Sequence, residues 1–464
     1  MTRRGPGTTW SRRDVLRLAG LTAVVGATGG LAACGSRGGG GPDPSASSPP
    51  SPAPSGSAWS GTRSVGDAQQ AAGLVLAGAQ AAAAAGSFGI AGAIIDNSTG
   101  EVVHRMENQV LRRLRPTVTA DSGETFTWDP TAHGERQLVY WYFENRDRLA
   151  LPPARDLTVV TSLDPCAMCT GALTTAGFNA AVVAMDTFSG INFRQDGRFA
   201  DLPQPVRGAV RDTFGYYAVE SGRQYQGGRS VAFADTAIDQ QVYDACEDIY
   251  QSSAKAVRSA RKTTNTPPDQ LRDPGTWKTA APIRSAYRRI YPKAFTHRLK
   301  DFRRPDRTLR RMLEELVADT AGADNAVAFI DPFGNVVTAA AGPLPRNPAA
   351  TGFMTASQDY ALTRFALVDD KETSGPARRA LTSPMFGTFV WLVAPDPRAT
   401  TTIEDLGGFG STMQAAIPQA TPSAFQFYEP PRRGTARELQ QVAASLPPLY
   451  SQLVKIDPQR VGDA

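Results

Sequence analysis

One junction constrains this 464-residue chain more than any other: the run from Leu157 to Leu163, followed at once by Asp164-Pro165-Cys166-Ala167-Met168-Cys169. A short apolar and β-branched run bounded by turn residues reads as a strand buried on both faces. A proline immediately after it suits the first turn of a helix, so strand passes almost directly into helix. Cys166 and Cys169 then stand three apart, neighbours on one helical face. At a helix N-terminus the macrodipole and the free amides favour thiolate over thiol. The chain has only four cysteines and three histidines, which excludes a disulfide-stapled scaffold and lets each residue be judged singly.

The second informative motif is His133-Gly134-Glu135, within Asp129-Pro130-Thr131-Ala132-His133. Catalytic zinc takes three protein ligands and keeps a fourth position open for water. His133, Cys166 and Cys169 supply the three, and bound zinc brings the pKa of its water towards ~7. Glu135, beside the histidine and not a ligand, is placed to carry protons from water to substrate. A closed structural site would need a fourth Cys or His, and none lies near either motif. Cys246 could supply one only if the chain folded back on itself. A redox Cys-x-x-Cys would leave the upstream His-x-Glu unexplained.

Together the motifs match the H-x-E…P-C-x-x-C signature of zinc-dependent deaminases. Residues from about 90 to 220 resemble the cytidine deaminase-like superfamily, nearest its nucleobase and tRNA-adenosine deaminase branch. Asp-Pro-Thr-Ala-His and Pro-Cys-x-Met-Cys are typical of that branch. The resemblance implies a three-layer α/β/α domain around a mixed sheet, Zn2+ as cofactor, and Asn108 as a substrate contact. A turn role for Asn108 is the alternative. Two departures stand out: Gly134 replaces the usual Ala, and residues 109–128 fill a shorter family connection, beside the expected pocket mouth.

The first 34 residues read as an export signal. Ser11-Arg12-Arg13-Asp14-Val15-Leu16 resembles a twin-arginine motif, and Leu31-Ala32-Ala33-Cys34 resembles a bacterial lipobox whose cysteine is lipidated. No apolar run reaches the ~18 residues of a membrane-spanning helix. The expectation is a protein lipid-anchored through Cys34 to the outer face of the bacterial cytoplasmic membrane. Residues 35–66, rich in Gly, Ser and Pro, read as a disordered linker.

The mature chain alternates strands with helices, the mark of an α/β domain. A helix is expected over Asp67 to Ala85, a hairpin around Asn97-Ser98-Thr99-Gly100, a helix from His133 to Asn145, and a strand from Ala180 to Met185. These assign 67–235 to a zinc deaminase-like domain. Residues 236–312 read as a basic helical connector, 313–430 as a degenerate deaminase-like domain, and 431–464 as a helical tail. The second copy rests on three matches in the same order. Ile330-Asp331 with Gly334 to Val337 parallels Ile95-Asp96 with Gly100 to Val103. Thr355-Ala356-Ser357 parallels Thr131-Ala132-His133, and Asp396-Pro397-Arg398 to Thr401 parallels Asp164-Pro165-Cys166 to Cys169. On this alignment Ser357, Arg398 and Thr401 replace the metal ligands, and the copies would form a pseudo-dimer within a monomer.

Between Lys255 and Arg311 there are 17 Lys and Arg against four Asp and Glu, interleaved with Trp277, Tyr287, Tyr291, Phe295 and Phe302. That mixture suits a nucleic-acid strand. A solvated linker beside an anionic membrane suits it as well, and an exported location weighs against nucleic acid. His104 and His297 have no metal partner at useful spacing. The leading expectation is a hydrolytic deaminase of a free nucleobase or nucleoside. Its rivals are a deaminase acting on nucleic acid and a non-catalytic, zinc-stabilised surface lipoprotein.

Overall fold

The computed structural model describes residues 57–116, 118, 124–219, 237–264, 266–413 and 423–462. The export motif and Cys34 lie outside the described residues. Among those described, no helix is long and apolar enough to cross a membrane.

The first sheet is built from β1 (Ala91–Asp96), β2 (Val102–Glu107), β3 (Leu157–Leu163), β4 (Asn179–Ala184) and β5 (Phe214–Tyr216). Its order is β2-β1-β3-β4-β5. β1 runs antiparallel to both neighbours, while β3, β4 and β5 run parallel. β3 is buried along its whole length. It sits between helix layers: α1 (Ala68–Ala84), α2 (Gly134–Leu149) and α3 (Ala167–Ala176). Asp67 caps α1 by accepting from the Gln70 amide.

A second sheet repeats the first. Its strands are β6 (Asn325–Ile330), β7 (Val336–Gly342), β8 (Thr388–Val393), β9 (Phe425–Glu429) and β10 (Gln459–Arg460), in the order β7-β6-β8-β9-β10. The strand directions are the same. The β1–β2 register slips between Ile94 and Ile95, and the β6–β7 register between Phe329 and Ile330. Gly100 and Gly334 both adopt positive φ, at 71° and 88°. Each accepts from an incoming strand, Val65 N at 2.9 Å and Leu299 N at 2.8 Å. A Cβ at either glycine would collide with that strand's carbonyl. A bulge and a left-handed glycine at matching positions are local accidents that a shared strand order would not by itself require. Their repetition marks a duplicated unit.

The repeat corrects several boundaries. The folded part begins before residue 67: a short helix covers Ser57–Gly61, Trp59 packs over Gly78, and Val102 N donates to Arg63 O. The stretch 236–312 is no separate connector. Helix α4 (Gln240–Thr264) belongs to the first unit, where Cys246, Tyr250 and Ala254 share a core with Ile95 and Val160. Helix α5 (Ala281–Ile290) belongs to the second, with Tyr287 donating to Tyr360 O. The second copy starts near Arg298, which bridges Asn335 as Ser64 bridges Glu101. It continues through helix α6 (Arg307–Asp319), capped by Asp306. Nor is 431–464 only a tail, because β10 closes the edge of the second sheet.

One motif alignment also shifts. Gly134 opens α2, and a Cβ there would lie 2.6 Å from Met106 O and 3.3 Å from Gly92 N. Gly352 opens helix α7 (Gly352–Val368), with Ala340 O at 2.9 Å and Val327 N at 3.4 Å in the corresponding places. Thr351, not Ser357, therefore occupies the place of His133, and Phe353 that of Glu135. The short motif match was out of register because the connection leading to α7 lacks the 109–128 insertion.

The copies meet where α3 packs antiparallel against helix α8 (Thr400–Met413). A Cβ on Gly171 would overlap the Glu404 backbone, and one on Gly407 would overlap that of Met168. One turn further on, the Thr175 and Thr400 hydroxyls hydrogen-bond at 2.7 Å. Gly407→Ala should destabilise the fold by about 1–3 kcal/mol through overpacking. Gly73→Ala, in α1 with open space around its Cα, should instead gain up to about 1 kcal/mol. Urea denaturation of the two variants separates these outcomes.

Candidate metal centre and its surroundings

The buried strand β3 delivers Pro165 and Cys166 to the start of α3, with Cys166 at the N-cap. Across from it His133 is the N-cap of α2, in extended geometry, and Glu135 sits in that helix's first turn. Both ligand segments are thus helix N-termini, and the close approach that Gly134 permits brings α2 onto β1 and β2. The departure from Ala at this position is paid for in contact distance.

One ligand atom each from His133, Cys166 and Cys169 lies within 4.8 Å of the others. Cys166 Sγ is 3.5 Å from His133 Nδ1. Tetrahedral zinc, with bonds of about 2.3 Å to sulfur and about 2.1 Å to nitrogen, separates such ligands by roughly 3.6 Å. The donor set therefore fits Zn2+ without rearrangement. Cys166 is held well below the usual thiol range by Cys169 beside it and by His133, against the opposing effect of burial. Thiolate is the form a metal needs.

Glu135 is 2 % exposed, and burial raises its pKa. Cys169 Sγ lies 3.6 Å from its Oε2, and Thr161 Oγ1 lies 3.1 Å from its Oε1. The same hydroxyl is 3.0 Å from Leu163 O. One hydroxyl proton cannot serve both acceptors. The hydroxyl donates to Glu135 Oε1 when the carboxyl is ionised, and can turn to Leu163 O and accept a hydrogen bond when it is protonated, which suits a carboxyl that takes up and releases a proton.

Asn108 is buried at the end of β2. Its Oδ1 accepts from Ser87 Oγ at 2.7 Å and from Val110 N at 3.1 Å, whereas its Nδ2 has no partner. The next residue, Gln109, donates its amide to Ala132 O in the loop that carries His133. The turn role and an available donor therefore coexist in one side chain.

Sequence reading missed the polar supports. Asp164 accepts from Asn192 N at 2.8 Å and Tyr216 OH at 2.9 Å, pinning the loop after β4 beside Cys166. Arg136 and Asp129, both fully buried, form an ion pair at 3.6 Å behind the His133 loop. Asp129 also accepts from Gln358 Nε2 of the second copy at 3.0 Å. The signal available was the run Glu135-Arg136, a charged residue pointing inward next to another.

The insertion's described part is a hairpin of Leu111–Arg113 with Thr125–Thr127. It grips the second copy: Arg115 pairs with Asp369 at 3.0 Å, Glu124 with Arg378 at 2.8 Å, and Phe126 lies under Arg364. The other isolated candidates are structural. Cys246 has its thiol pushed up to about 12 by burial. His104 stacks on Trp141 at 3.9 Å, and burial takes it down to about 4. His297 bonds to Asp306.

A mixed α/β unit with His, Cys and Cys at two helix N-termini beside a buried Glu defines a zinc centre on a cytidine deaminase-like fold. Residues 67–185 match the family described as the cytidine and deoxycytidylate deaminase zinc-binding region. Zn2+ is the metal of this family. No curated protein matches the chain. Among solved structures, a guanine deaminase from Nitrosomonas europaea is 17% identical, with 43% of this chain and 91% of that one covered at a TM-score of 0.23. The tRNA deaminases that carry out A-to-I editing at the wobble position are represented at 22% identity, with 25% and 77% covered at a TM-score of 0.19.

The purified protein should carry one equivalent of zinc by elemental analysis. His133→Ala, Cys166→Ala and Cys169→Ala should each remove it, while Glu135→Gln and Cys246→Ser should retain it.

Proposed function

We propose that this chain is a zinc-dependent hydrolytic deaminase acting on a free nucleobase or nucleoside. The observation that carries the reading is the placement of Glu135: a buried carboxyl of raised pKa within reach of a three-ligand metal site. His133, Cys166 and Cys169 would hold the zinc, which would lower the pKa of a water so that hydroxide is available as nucleophile at neutral pH. Glu135 accepts one proton from the attacking water at its carboxylate oxygen and passes it to the ring nitrogen, then takes the remaining hydroxyl proton and passes it to the leaving amine, which departs as ammonia. Asn108 Nδ2, an unpaired buried donor, holds an acceptor on the substrate ring. Thr161 fixes the Glu135 rotamer. The Asp129–Arg136 pair keeps the His133 loop in place.

The nucleic-acid reading loses its principal support. Tyr287 and Tyr291 are buried, and Phe295 and Phe302 pack against the core. The guanidinium groups of Arg272 and Arg379 lie 5.3 Å and 5.4 Å from the Trp277 ring centroid. Two of the five rings are buried and three half-buried against the core, which weighs against a stacking platform. Several of the basic residues are engaged, as in Arg298 with Asp273 at 2.7 Å and Arg310 with Glu429 at 2.6 Å. Export and lipidation at Cys34 belong to the same proposal and rest on the two N-terminal motifs alone. Detergent partitioning of a Cys34→Ala variant tests the anchor.

Ammonia release from cytosine, guanine, adenine and their nucleosides tests the activity. At least one should be turned over, and Glu135→Gln should lower that rate by about 10²–10⁴-fold with zinc retained. A zinc-loaded protein inactive on the whole panel would leave the non-catalytic lipoprotein reading in its place.

A further inference from the structure

The second copy has given up its own site. Phe353 stands where Glu135 stands in the first, stacked on Trp391 with ring centroids 5.2 Å apart, and Trp391 in turn stacks on Phe425 at 3.7 Å. Thr351, in the place of His133, donates its hydroxyl to Asp405. What the second copy has kept is the loop in front of that residue. In the first copy Asp129 Oδ1 accepts from Thr131 N at 2.8 Å, Asp129 O from Ala132 N at 3.0 Å, and Thr131 O from His133 N at 2.9 Å. In the second, Asn347 Oδ1 accepts from Ala349 N at 3.1 Å, Asn347 O from Ala350 N at 2.9 Å, and Ala349 O from Thr351 N at 3.1 Å. The two loops are the same turn.

Each turn is touched by the other copy, and from matching positions. Tyr140 follows Gly134 in α2 by as many residues as Gln358 follows Gly352 in α7. Tyr140 OH donates to Ala349 O at 3.0 Å, and Gln358 Nε2 donates to Asp129 Oδ2 at 3.0 Å. The exchange is reciprocal but unequal in its consequence. Tyr140 lands on a backbone carbonyl in a loop that leads to a threonine. Gln358 lands on the side chain that organises the loop leading to His133.

That side chain is fully buried. Its Oδ1 accepts from both Thr131 N and Thr131 Oγ1, the latter at 2.6 Å. Arg136 Nη1 stands 3.6 Å from Oδ2, near enough for charge but too far for a hydrogen bond. Among the described residues the hydrogen bond to Oδ2 comes from Gln358. A carboxylate is planar, so a donor on Oδ2 fixes the plane and with it the direction in which Oδ1 meets Thr131. A binding constellation has to be held to within about 0.5 Å. Partners that orient metal ligands from behind are commonly worth about 10–100-fold in metal affinity.

We propose that Gln358 of the second copy is a positioning residue for His133, acting through Asp129 and the Thr131 turn, so that the degenerate copy braces the ligand loop of the first. Gln358 touches no substrate. The inference rests on His133, Cys166 and Cys169 binding zinc and is independent of which substrate is used.

The test uses the full chain with Gln358→Met, which keeps the length and loses the donor, and Gln358→Asn, which keeps the amide but withdraws it by a methylene. Tyr140→Phe is the internal control, since it removes the reciprocal hydrogen bond and leaves Asp129 untouched. Zinc affinity is measured by competition with a chromophoric chelator, metal-free stability by melting, and ligand geometry by the d–d bands after cobalt substitution. Both Gln358 variants should bind zinc about tenfold more weakly, with cobalt bands displaced from those of the parent. Tyr140→Phe should also lower the metal-free melting temperature, yet keep the parent's zinc affinity and cobalt bands. Parent-like zinc affinity in both Gln358 variants would overturn the proposal. So would an equal loss of affinity in Tyr140→Phe, which would reduce Gln358 to general cohesion between the copies, or a parent protein that binds no zinc. The expected losses in a protein that deaminates nothing would sink the deaminase reading and leave this one standing.

Discussion

The crossing of α3 and α8 governs the rest of the molecule. Two helices approach backbone to backbone only where one presents glycine to the other, and here Gly171 and Gly407 do so reciprocally. The consequence reaches the metal site directly, because α3 is the helix that carries Cys166 and Cys169. Its inner face packs on the first sheet and its outer face on the second copy. A ligand helix fixed on both sides keeps two sulfurs at a constant distance from His133, as a rigid metal site needs. Across the α3–α8 contact, the face of the first core that carries α2 and α3 joins the second core in one cluster, while the face packed by α1 and α4 forms its own.

Buried charge is concentrated along the same boundary. Arg136 pairs with Asp129 of its own unit through Nη1 and lies over the Tyr140 ring at 3.9 Å, while its buried Nε and Nη2 have no hydrogen-bond partner. Tyr140 donates to Ala349 O, across the boundary. Glu404, also fully buried, has no hydrogen-bond partner for either oxygen, and burial raises its pKa strongly. A neutral Glu404 beside Arg136 is a cheaper arrangement than an ionised one in an apolar interface. The residue next to the proposed proton carrier is thus held by Asp129 and Tyr140 of its own unit, which in turn bond to Gln358 and Ala349 of the second copy. The duplication is therefore part of the first site's construction, even though the second site has been filled with aromatic rings.

The chemistry was legible because it depends on local order. Cys166 and Cys169 share a helical face by spacing alone, and a short apolar and β-branched run such as Leu157 to Leu163 reads as a central strand. Helix α1 was legible to within a residue from its capping Asp67. The repeat was legible in outline through its hairpin, since Ile330-Asp331 and Gly334 reproduce a turn whose geometry demands glycine. Its alignment over His133 was not, because a deleted loop changes the spacing and Thr355-Ala356 offers a stronger letter match than Thr351-Gly352. The basic stretch misled for a related reason: composition reports charge and aromaticity, but not which aromatics face inward.

By itself, then, the order of residues determined the His133, Cys166 and Cys169 donor set, the central strand and the existence of a second unit, and pointed to Glu135 as the proposed proton carrier. Each of these is written in contacts between residues a few positions apart. Tertiary structure alone decided that the connector is divided between two cores, that the described part of the 109–128 insertion clasps the second copy, and that Leu449 reaches back to Phe188. Such contacts join residues 254 positions apart, as between Arg115 and Asp369. They arise from how two similar sheets bury their outer helices against each other, and no local pattern encodes which distant side chain fills the space that remains.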